Sequence, residues 1–150
     1  MEVFRISSEK YAKALTASGA ANRWNYDHQF VLYTGSSRSL ATLELVVHRA
    51  SIQADFQYKI MVISIADNDS LYTQLKIDDL PKDWRQATAY AALQKAGAKW
   101  YQSDESLVLK VPSVIIPLEY NYIINTSHPD FKSNVKLVRL EDYFWDKRLF

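Results

Sequence analysis

Glu44 is the first residue of this 150-residue chain whose chemistry looks out of place. It lies in the run SSRSLATLELVVH, residues 36–48, where Ser36, Ser37 and Ser39 offer helix caps and apolar residues recur at helical spacing. With Leu40 at zero on a wheel of roughly 100° per residue, Leu43 falls at about 300°, Glu44 at about 40° and Val47 at about 340°. The carboxylate therefore sits on the apolar stripe of its own helix. Burying a lone carboxylate is costly unless it is paired or hydrogen-bonded, so Glu44 is either a structural acid, in an ion pair or near a helix N-terminus, or a catalytic one. Arg23, in the turn-like stretch NRWNYDHQ, poses the matching choice between a solvated surface residue and an anion clamp, and Trp24 beside it favours the clamp. Tyr33 ends the apolar run FVLYT, where a phenol either caps a core or stacks on a flat ligand ring.

Other chemistry finds little support. Ser106 begins a strand on the face of Val108 and Lys110, and Ser113 follows Pro112 in a turn, but neither stands in a GxSxG elbow. His28, His48 and His128 match no metal spacing and read as surface or capping histidines. The absence of cysteine removes disulfides, thiolate catalysis and cysteine metal sites together. Gly35 is isolated, which is too little for a phosphate-cradling loop. Spacing alone yields Arg23, Tyr33 and Glu44, and no reaction.

These residues need elements to hold them. Residues 3–6 read as a strand and 7–19 as a helix, capped by Ser7 or Ser8, with Tyr11, Ala12 and Leu15 on its apolar side and Gly19 as the stop. A strand over 30–34 is followed by the Glu44 helix, which runs through His48. YKIMVISIAD is a nearly continuous apolar strand, as expected for one covered on both faces or central in a sheet. The alanine-rich stretch 85–101 favours a helix with Gly97 as its weak point. SLVLKVPS reads as a strand stopped by Pro112, VIIP and EYNYIIN as extended pieces, and 136–140 as a last strand before an aromatic tail. Short elements in mixed order indicate an α+β fold, or an α/β fold with a mixed sheet.

Composition sets the outer limits. With 48% apolar and 23% charged residues, and only 3 Gly and 4 Pro, the chain is expected to fold throughout as a single domain, 1–150. It carries no stretch readable as a signal peptide or a membrane span, so a cytoplasmic protein with no membrane contact is expected. A formal charge of +1 gives no argument for direct nucleic-acid binding.

In the order FRIS, RWN, LYTGSSRSLATLELVVH, LPKDW, SLVLKVPSVIIPLEYNYIIN, HPDF and WDKRLF, the chain resembles the RES-domain toxins of bacterial toxin–antitoxin systems, named for an Arg, a Glu and a Ser. On this resemblance Arg23 matches the family Arg, Tyr33 its strand Tyr, Glu44 its Glu, and Ser106 its Ser, with Ser113 the alternative. Asn22 stands where the family usually has Gly, and Lys147 where it often has Pro. The resemblance implies an ADP-ribosyltransferase-like fold of small mixed sheets and flanking helices. It implies NAD as substrate, with no metal, and cleavage of the bond between nicotinamide and ribose by hydrolysis or phosphorolysis, so that NAD is depleted and growth arrests. Glu44 would face the ribosyl cation, Arg23 would hold the pyrophosphate, Tyr33 would stack on nicotinamide or ribose, and Ser106 would add a hydrogen bond. It also implies a helix-turn-helix (Xre-type) antitoxin covering the cleft of a toxin homodimer. The competing readings are a protein ADP-ribosyltransferase that uses NAD, and a nucleotide- or peptide-binding module without turnover.

Overall fold

The computed structural model describes residues 1–48 and 57–149. Among these residues four α-helices and seven strands follow in the order β1 (Glu2–Ser8), α1 (Glu9–Ala12), β2 (Val31–Gly35), α2 (Arg38–Val47), β3 (Tyr58–Ile65), β4 (Tyr72–Gln74), α3 (Tyr90–Ser103), β5 (Val108–Pro112), β6 (Tyr120–Asn125), α4 (Phe131–Asn134) and β7 (Val135–Tyr143). All seven strands join one mixed sheet, ordered β4-β5-β6-β2-β1-β3-β7, in which only β4 and β5 run parallel. The fold is α+β, one of the two classes that the mixed order of elements allows.

One join in this sheet differs from the rest. β1 meets β2 only through Phe4 opposite Gly35, whereas β1 pairs with β3 from Glu2 to Ser8 and β2 pairs with β6 along its whole length. The small sheets expected from the sequence are therefore two halves of one sheet, joined at a single residue pair. Strands that diverge from a single pair leave a gap between them, and the candidate site opens there.

Strand alternation divides the core. On β6, Tyr122 and Ile124 face a cluster with Leu32, Met61, Ile63 and Leu107, while Ile123 faces Trp24, Trp84, Leu93, Trp100 and Leu109 under α3. Phe4, Ala41, Ile60 and Val62 form a third cluster beneath α2. The long apolar strand expected at YKIMVISIAD is β3, which lies between β1 and β7 in the sheet.

Several elements depart from expectation. The first helix stops after Ala12, and Tyr11, expected on its apolar side, is 63% exposed. Ser8 makes no side-chain capping bond, and a single turn is too short to be stable alone. Leu15 and Ala17 nonetheless reach the same core cluster as Ala12 without a continuing helix. Residues 114–117, expected extended, form bends and the start of a turn, because Ser113 Oγ accepts from the backbone N–H groups of both Ile115 and Ile116 and curls the chain. The helix expected from residue 85 begins at Tyr90 after a 3-10 turn, Ala87–Ala89. The last strand runs further than 136–140, to Tyr143.

Candidate active site

α2 carries Glu44. Ser37 caps this helix, its side chain accepting from Leu40 N–H at 3.1 Å. Leu40 and Ala41 are buried, Leu43 and Val47 exposed, so the inward face is turned from the expected stripe and Glu44 lies near its middle, half-buried. Gly35 permits this approach, since a Cβ there would sit 3.1 Å from the backbone nitrogen of Ala41. Glu44 Oε1 accepts from Asn121 Nδ2 at 2.7 Å and from Ser113 Oγ at 3.2 Å. No described residue takes Oε2.

Arg23 is held by α3. Asn22 and Asn25 close a short backbone bridge around Arg23 and Trp24. Asn22 Oδ1 accepts from Arg23 N–H at 2.8 Å, and Gln94 Nε2 donates to the carbonyls of both Asn22 and Asn25. Asn22 stands where Gly is usual in the resemblance, and it fits because the turn does not place it at positive φ. The Arg23 guanidinium lies 5.5 Å from the centre of the Tyr90 ring, and its Nη1 is buried with no hydrogen-bond partner among the described residues.

Tyr33 stands between these two groups. Its hydroxyl donates to Asn25 Oδ1 at 2.6 Å and accepts from Trp24 N–H at 3.0 Å, so the ring is fixed against the Arg23 turn. Burial pushes its phenol well above the ordinary tyrosine value, and the Trp24 N–H only partly offsets this. Tyr33 is a neutral wall at any physiological pH.

Two adjoining pockets, of about 190 and 310 Å³, share Asn22, Tyr33, Glu44, His48 and Asn121. The first extends along β1 to Phe4, Arg5 and Ile6, the second toward Arg23, Tyr90, Pro112, Val114 and Ile115. Arg23, Tyr33 and Glu44 are thus brought into one cleft. Its size suits part or all of a small-molecule ligand, for which sites of about 300–1,000 Å³ are usual.

Ser106 is not brought there. Its Oγ accepts from Trp100 Nε1 at 2.9 Å and lies 2.7 Å from Thr73 Oγ1, in the core between α3 and β4, so the hydroxyl is used up in supporting Trp100. Ser113 is the serine that touches Glu44. The two were separable only by the turn after Pro112, which brings Ser113 back toward α2. His48 is exposed at the cleft mouth, whereas His128 is buried, its Nε2 donating to Asp104 O and its Nδ1 accepting from the N–H of Asp130 at the start of α4, which fits the capping alternative and not the surface one.

Arg5 and Asn121 also line the cleft, though neither is singled out by motif or spacing. Arg5 lines the first pocket with one hydrogen bond, from Nη1 to Tyr33 O at 3.2 Å, and burial pulls its guanidinium below the ordinary value. A charged residue in the apolar strand VFRIS was the available signal. Among the described residues Arg5, Arg23 and Arg85 have no carboxylate within ion-pair distance, while Arg38, Arg139 and Arg148 do, and of the three only Arg5 and Arg23 line the pockets. No cluster of His, Asp or Glu among the described residues could hold a metal ion.

Residues 2–146 match the family described as RES domain. The chain belongs to the RES-domain family. Toxin Res of Yersinia enterocolitica is 33% identical to this RES protein over 153 residues, covering 99% of both chains. The Prs ADP-ribosylating toxin of a Sphingobium species is 33% identical over 142 residues, 92% of this chain and 88% of that one. A chain in the crystal structure of the M. tuberculosis MbcT–MbcA toxin–antitoxin complex shares the fold, with a TM-score of 0.70 over 95% of this chain and 83% of that chain at 17% identity. No helix among the described residues is long and apolar enough to cross a membrane.

Proposed function

We propose that this RES-domain protein is the toxin of a toxin–antitoxin pair and that it consumes NAD by breaking the nicotinamide–ribose bond. The observation that carries the reading is electrostatic: two arginines without carboxylate partners line a cleft whose acid is anchored only by neutral donors. Such a cleft suits a ligand that bears anionic phosphates and develops positive charge at a sugar carbon. NAD is that kind of ligand. Arg23, which lines the second pocket, holds the pyrophosphate through its fork of donors, and Arg5 adds positive charge from the first pocket. The fixed Tyr33 ring supplies a stacking face for nicotinamide or the adjoining ribose.

The bond between ribose C1 and the pyridinium nitrogen breaks with its electron pair going to the nitrogen, which leaves as neutral nicotinamide. Positive charge then spreads over C1 and the ring oxygen, and the Glu44 carboxylate stabilises it. The acceptor adds to C1 and loses a proton. Water gives ADP-ribose and inorganic phosphate gives its 1-phosphate. A protein side chain gives a modified protein, the outcome favoured by the name of the Sphingobium relative.

Val47, 58% exposed, forms an apolar rim on the second pocket together with Val114 and Ile115. This rim suits a helix-turn-helix antitoxin whose end segment covers the cleft, in an assembly built on a toxin homodimer. In bacterial cytosol, expression without the antitoxin is expected to arrest growth while cellular NAD falls, and co-expression is expected to restore both. Arrest with undiminished NAD contradicts depletion and selects protein ADP-ribosylation instead.

A further inference from the structure

Asn121 occupies an interior strand position on β6, opposite Gly35 of β2 and Val111 of β5. It shares a face with Ile123, which packs in the tryptophan-rich cluster. An apolar side chain would suit that place. Asn121 instead donates from Nδ2 to Glu44 Oε1, while its Oδ1 is buried without a hydrogen-bond partner among the described residues. Turning the amide over would set Oδ1 against Oε1, acceptor against acceptor, so its orientation is dictated by Glu44. A buried carbonyl left unpaired destabilises a fold, and an apolar residue of the same shape avoids that cost.

We infer that Asn121 is a positioning residue for Glu44, kept at the expense of stability. The inference rests on the proposed NAD cleavage for its consequence but not for its geometry. Ser113 is fully buried and accepts from two backbone N–H groups, so its single hydroxyl proton goes to Glu44 Oε1. Asn121 and Ser113 therefore pin the same oxygen and leave Oε2 for the ligand. Both donors are neutral. An arginine or lysine in either place would hold the carboxylate as well, but its charge would cancel the field that Glu44 exerts on a ribosyl cation.

The test is Asn121→Leu, the nearest apolar shape. The expected result is a kcat for NAD cleavage lowered at least about tenfold, a KM within about twofold of the parent, and a Tm equal to or above the parent's. Asn121→Asp keeps the shape but replaces the donor with an acceptor, and it is expected to lose kcat likewise, which reads the inference even if the leucine variant fails to fold. A crystal structure of either variant without NAD reads the geometry independently of turnover: the Glu44 carboxylate is expected to leave its place beside Ser113. An inactive parent protein would contradict NAD cleavage, while the position of Glu44 would still decide this inference. It is overturned if kcat stays within about twofold of the parent in the folded variants, or if Glu44 does not move.

Discussion

Ser106 and Ser113 lie seven positions apart and do different work. Ser106 supports Trp100 and Thr73 in the core, whereas Ser113 gives its proton to Glu44. Ser106→Ala is expected to cost about 1–3 kcal/mol, because the buried Trp100 N–H loses its acceptor, and to leave turnover by the folded protein unchanged. Ser113→Ala also strands two backbone N–H groups, but it alone is expected to lower turnover, roughly tenfold, the worth of one hydrogen bond to a charged group. Thermal melts paired with NAD turnover check both. Equal turnover in the two variants would remove Ser113 from the site. Arg5 and Arg23 are arranged for an anion that arrives from outside, since each guanidinium faces the cleft with no carboxylate within ion-pair distance among the described residues.

α3 does more at the level of elements than its composition suggests. Gly97 reads as a weak point in an alanine-rich helix, yet a Cβ there would lie 1.8 Å from the carbonyl oxygen of Trp24. The helix and the Arg23 turn touch at that glycine, and Gln94 one turn away ties the turn down. Gly97→Ala gains about 1 kcal/mol in helix propensity but drives a side chain into backbone that has little room to retreat. The expected outcome is a lower Tm together with a raised KM for NAD, measured on the folded fraction; an unchanged KM would mean that the turn does not position Arg23. Such long-range contacts mark the limit of what the sequence disclosed. Arg23, Tyr33 and Glu44 were legible because each sits against its local pattern, and β3 because an unbroken apolar run belongs inside a sheet. The meeting of Ser113 with Glu44, 69 positions apart, depends on a loop whose shape comes from side-chain-to-backbone bonds, and no periodicity reports that. The first helix failed for the opposite reason: its local pattern was helical, and core packing of Leu15 and Ala17 without a continuing helix overrode it.

Across the whole molecule, the single pairing of Phe4 with Gly35 lets the sheet divide into halves, with the cleft lined from both. Burial of tyrosines in and around this sheet ties stability to alkaline pH. Burial raises the phenols of Tyr33, Tyr72 and Tyr122 above their ordinary value, Tyr72 to about 12. The folded chain thus keeps these protons to higher pH than the unfolded chain, whose phenols titrate near about 10. Their contribution is complete below about pH 10 and is lost as pH rises through the folded values. Melting temperatures are expected to hold level on that account up to about pH 10 and to decline above it, with a shallower decline in Tyr72→Phe; identical alkaline profiles for the two proteins would contradict this. The central claim, that the cleft between the half-sheets cleaves NAD with Glu44 facing the ribosyl cation, is tested most directly by incubating the purified protein with NAD and following free nicotinamide, beside Glu44→Gln. Steady nicotinamide release by the parent is expected, with a loss of about 100-fold or more in Glu44→Gln at unchanged fold. Nicotinamide release by Glu44→Gln at the parental rate, or none by the parent, would contradict it.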